Sequence, residues 1–64
     1  MRIKDARKAQ RYTMADVASY LGVSTPTYSR MEKYPEVITI SDAKKLAELF
    51  RVDVNEIFFA ENYK

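Results

Sequence analysis

The stretch Thr13–Lys33, TMADVASYLGVSTPTYSRMEK, decides how the rest of the chain is read. Thr13 stands three residues before Asp16, the Thr-x-x-Asp form of a capping box. Val17, Ala18 and Leu21 then recur on one face of a helix predicted over 14–21. Gly22 follows the last apolar position, where a left-handed C′ residue closes a helix. Ser24 caps a second helix, predicted over 25–33, with Thr25 and Pro26 in its first turn. The link is only Gly22, Val23 and Ser24. So short a connection makes the two helices cross steeply, with Val23 as the apolar pin between them.

Two helices joined in this way can lay the second one in a DNA major groove. The run resembles the helix-turn-helix of phage repressor and Cro-type regulators. The residues that carry the likeness are Ala18 in mid-helix, Leu21-Gly22-Val23-Ser24 at the turn, and Arg30 with Glu32 near the end of the second helix. Leu46-Ala47 and Val52-Asp53 fit the family's fourth and fifth helices at lower specificity. Met14 stands where the family usually has Gln, and Tyr34-Pro35 where it usually has Gly. The resemblance implies an all-α, five-helix, lambda-repressor-like domain that fills residues 1–64 as a single unit.

It also implies where DNA would be met. Matching the motif makes Thr25, Pro26 and Arg30 base-facing. Arg30 is the long polar side chain of the three; an Arg bonded to guanine O6 and N7 is worth roughly 1–3 kcal/mol of discrimination. Thr25 could touch a thymine methyl, and Pro26 offers apolar contact. Thr27, Ser29 and Lys33 fall to the sugar-phosphate backbone, with Tyr34 lying along it; such contacts set register without reading sequence. Thr13 and the backbone of Met14 form a phosphate seat at the amino end of the first motif helix. Helical spacing turns Tyr28 and Met31 inward with Val23. Arg7 matches a family arginine that pairs with the glutamate here numbered 32, locking the first helix to the third.

Composition narrows the classes. A chain of 64 residues makes one domain and buries only about 60% of its unfolded surface, so a partner chain is a natural addition to its core. Neither cysteine nor histidine is present, which removes disulfides, the usual zinc ligands and the commonest general base. No enzyme, metal or cofactor is expected. Residues 1–33 carry seven basic and three acidic groups, a net of +4; residues 34–64 carry four and six, a net of −2. A basic half joined to an acidic half suits a molecule with phosphate on one side only. The apolar runs Val37-Ile38 and Ile57–Ala60 are far shorter than the about 20 residues a bilayer requires, and no signal peptide is seen, so a soluble, cytoplasmic protein is expected.

Outside the motif, a first helix over 2–10 turns Ile3 and Ala6 inward and leaves Lys4, Lys8 and Arg11 as a basic patch. Tyr12 packs between the first two helices. Pro35 ends the third helix and restricts Tyr34 to extended geometry. Thr39 and Asp42 form a second capping pair for a helix whose apolar stripe is Ile40, Ala43, Leu46, Ala47 and Phe50. Arg51 occupies a C′ position, and Asp53 opens a third box with Glu56 for a short fifth helix over 54–58, before a frayed or extended tail, Ala60–Lys64. That helix carries Ile57, Phe58 and Phe59, more apolar surface than it can bury on one side, and these are the expected interface of a homodimer. The function expected is sequence-specific binding of an inverted-repeat duplex operator by a Cro-like or small phage-type repressor, with no room left for a separate oligomerisation domain. The alternative is an antitoxin-type module that grips a toxin through the apolar carboxyl end.

Overall fold

Caps and turn residues divide the chain where its periodicity changes. The computed structural model describes residues 1–59, with side chains described for 1–57. The elements are α1 (Ile3–Ala9), α2 (Met14–Leu21), α3 (Thr25–Lys33), a 3₁₀ turn (Pro35–Val37), α4 (Ile40–Phe50) and α5 (Asn55–Phe59), and no strand occurs among the described residues. The fold is the all-α, five-helix, lambda-repressor-like arrangement.

Both motif helices have the bounds that the sequence predicts, because their caps are strong. The Asp16 N–H donates to Thr13 Oγ1 at 3.0 Å while the Thr13 N–H donates to the Asp16 carboxylate at 2.9 Å, a closed capping box. Gly22 ends α2 at φ 76°, a left-handed backbone that suits glycine because it has no Cβ. Ser24 accepts the Thr27 N–H at 3.3 Å to start α3. By contrast α1 is one residue shorter at each end than expected; at its start Arg2 offers no side-chain acceptor to cap it.

Two expectations in the carboxyl half are corrected. Ile40 is 71% exposed and outside the core, although Ala43, Leu46, Ala47 and Phe50 are buried as the stripe requires. Ile40 is the first residue of α4 and overhangs the edge of the core, which Ile38 from the preceding link covers instead. The third capping box does not form. Asp53 Oδ1 accepts from the Asn55 N–H at 2.8 Å, two residues on rather than three, and α5 is a wide π-type turn instead of an α-helix over 54–58.

The core joins Ile3 and Ala6 of α1, Val17 and Ala18 of α2, Tyr28 and Met31 of α3, Leu46 and Phe50 of α4, and Ile57 of α5. Tyr12, Val23 and Leu21 pack around it, the Tyr12 ring lying 6.4 Å from that of Phe50. Gln10 Nε2 donates to the Phe50 carbonyl at 3.2 Å and brings the ends of α1 and α4 together. No described helix is long and apolar enough to cross a membrane.

Candidate nucleic-acid interface

The second motif helix is held by its inner face and by an ion pair. Tyr28 and Met31 are buried, as the three-residue spacing requires. At its last turn Glu32 meets Arg7 of α1, with Arg7 Nε 2.6 Å from Glu32 Oε2 and side chains only 7% and 5% exposed. The same guanidinium donates from Nη1 to the Tyr12 carbonyl at 2.9 Å. One side chain therefore ties the α1–α2 junction to the end of α3. The Glu32 hydrogen bond raises the Arg7 pKa above its ordinary value despite burial. Beside the pair, the Tyr28 hydroxyl is the one buried side-chain polar atom without a hydrogen-bond partner among the described residues. Desolvation first, and then the Glu32 carboxylate, push its pKa well up. That orphan hydroxyl was not foreseen: spacing shows that Tyr28 points inward but not what its tip meets.

The rest of α3 is turned outward. Thr25, Pro26, Arg30 and Lys33 are exposed, and Thr27 and Ser29 are half-buried at its flank. Arg30 has no hydrogen-bond or ion-pair partner among the described residues. Lys33 Nζ stands 5.7 Å from the centre of the Tyr34 ring, a cation–π arrangement, and Tyr34 is 46% exposed. Thr27 Oγ1 accepts from the Ser24 hydroxyl at 2.9 Å.

At the amino end of α2, the polar atoms of Thr13 are engaged in the capping box, while Met14 is half-buried against the core. Backbone hydrogen bonding to Thr13 holds the Asp16 carboxyl below the usual carboxylate range. Of the three residues expected to join two subunits, Ile57 is 5% exposed and belongs to the protein's own core. The side chains of Phe58 and Phe59 lie outside the described residues. Among the described residues no group of His, Cys, Asp or Glu could hold a metal ion.

Residues 3–57 match the family model described as Helix-turn-helix. A protein of Pyrococcus abyssi (strain GE5 / Orsay) named "Putative HTH-type transcriptional regulatory protein" is 37% identical over 49 residues, covering 77% of this chain and 16% of that relative. The chain thus spans about one sixth of the relative's length. No solved structure matches the chain. The family match runs from the start of α1 into α5 and takes in the capped helices, the tight turn and the Arg7–Glu32 lock, and on it the chain belongs to the Cro/C1-type helix-turn-helix family.

Proposed function

We propose that this protein is a transcriptional regulator of the Cro-like or small-repressor kind, which binds duplex DNA sequence-specifically by laying α3 in the major groove. The observation that carries the reading is the division of α3: Tyr28, Met31 and Glu32 hold one side to the core, while Thr25, Pro26 and Arg30 stand exposed on the other. On this reading Thr25 and Pro26 touch base edges and Arg30 supplies a directional, bidentate contact. Thr13, the Met14 backbone, Thr27, Ser29, Lys33 and Tyr34 meet sugar and phosphate and set the register. Thr13 Oγ1 already accepts the Asp16 N–H, which leaves its O–H to donate to a phosphate oxygen, while Lys33 adds a full charge to this set.

Selection of bound sites from random duplex DNA tests the reading. A recovered inverted repeat supports both sequence recognition and two-fold binding. The absence of any enriched site at modest salt overturns the reading and leaves a protein-interaction module of the antitoxin type as the better account.

A further inference from the structure

Among the described residues two non-glycine residues have positive φ, and both are arginines: Arg11 at 61° and Arg51 at 60°. A side chain in the left-handed region crowds its Cβ against the backbone, so glycine or asparagine fits there with less strain. Arg51 has a local reason to be present. It follows α4, whose last turn contains no other basic residue, and its charge complements the negative end of that helix. Arg11 has no such reason. The last turn of α1 already holds Arg7 and Lys8, so a third cation adds little to the helix end. Arg11 is also exposed and has no ion-pair partner among the described residues.

Its position supplies the missing explanation. Arg11 is two residues from Thr13, so their Cα atoms lie within about 7 Å, a gap that an extended arginine side chain can cross. The Arg7 guanidinium bonds both the Tyr12 carbonyl and Glu32, which sets this junction beside the last turn of α3, where Lys33 stands. We infer that Arg11 is a phosphate-positioning residue at the α1–α2 junction, kept in a strained backbone conformation because its charge extends the cationic border of α3. The inference rests on the proposed DNA-binding reading. On that footing Arg11, Lys33 and the amino end of α2 meet neighbouring phosphates of one strand, and Arg11 adds affinity without reading sequence.

The test measures the salt dependence of binding to the selected site for the parent, Arg11→Gly, Arg11→Lys and Arg51→Gly, with melting of each. Arg11→Gly is expected to melt no lower than the parent and to flatten the log–log salt slope by about one unit. Its deficit in affinity then shrinks about threefold between roughly 50 and 200 mM salt. Arg11→Lys keeps the slope, and Arg51→Gly keeps it too while undergoing the same backbone change. An Arg11→Gly slope equal to the parent's overturns the inference, as does equal flattening in Arg51→Gly, which would mark a general charge effect. A parent that binds no duplex at any salt instead defeats the underlying DNA-binding reading.

Discussion

At the residue scale, α3 separates two kinds of contact that different measurements can tell apart. Arg30→Ala is expected to weaken binding to the selected site by roughly 1–3 kcal/mol and to leave binding to random duplex nearly unchanged, since it removes a base contact. Equal losses on both would make Arg30 a phosphate contact. Lys33→Ala should do the opposite, weakening all sequences alike and lowering the salt slope by about one unit in titrations at several salt concentrations. Inside the same helix, Tyr28→Phe removes a buried hydroxyl with no hydrogen-bond partner and should be neutral or stabilising by up to about 1 kcal/mol in denaturant unfolding. A clear loss would mean that the hydroxyl is bonded to Glu32 in solution. That Tyr28 and Met31 point in and Thr25, Pro26 and Arg30 point out was legible from spacing, because a helix repeats every three to four residues, whereas the place of Glu32 came from the family resemblance. What the buried tips touch was not, since the meeting of Tyr28 with Arg7 and Glu32 depends on a crossing angle that no single helix encodes.

At the element scale, the ion pair and the capping box do different jobs. Arg7 and Glu32 are both nearly water-free, so Glu32→Ala leaves a buried guanidinium uncompensated and should cost about 3–5 kcal/mol, read as lost stability in unfolding. Arg7→Met combined with Glu32→Leu should recover part of that loss, though not all, because the Tyr12 carbonyl then lacks its donor. A parent-like Glu32→Ala would show that the pair adds nothing to holding α1 against α3. The capping box gives an acid signature instead. Its hydrogen bonds depress the folded-state pKa of Asp16, so its contribution is full above the ordinary Asp value of about 3.9 and fades as pH falls through the depressed value. Asp16→Asn should therefore lose less melting temperature than the parent between about pH 5 and pH 2. Identical pH profiles would remove the box from the account of α2. These caps were readable because each is written within four residues. The third box, Asp53 with Glu56, is as local as the others yet does not form, because the Asp53 carboxylate takes the Asn55 N–H instead. Ile40 was misread for the converse reason, since periodicity put it in the core stripe and only the packed fold shows that the first residue of α4 overhangs the core and that Ile38 takes the place.

At the scale of the whole molecule, one recognition helix reads too few base pairs to define a useful site, and two-fold pairing on DNA solves this by placing two helices about 34 Å apart in successive grooves. The joining surface then has to lie away from Arg30 and should be apolar. We propose the carboxyl end: residues 34–64 carry a net charge of −2, a poor match for phosphate. Ile57 is committed to the core, so the pairing we propose at this end rests on the expectation for Phe58 and Phe59. We expect the parent to sediment as a dimer that binds an inverted repeat tightly, and Phe59→Asp to be a monomer with weak, non-specific binding, because a buried carboxylate without a partner is costly at an apolar interface. The two losses should appear together. Half-sites spaced by one helical turn in the selected DNA should vanish with them. An unchanged mass and affinity in Phe59→Asp would move the interface elsewhere, and the exposed Val37 of the 3₁₀ turn and Ile40 at the start of α4 would be the next surface to substitute.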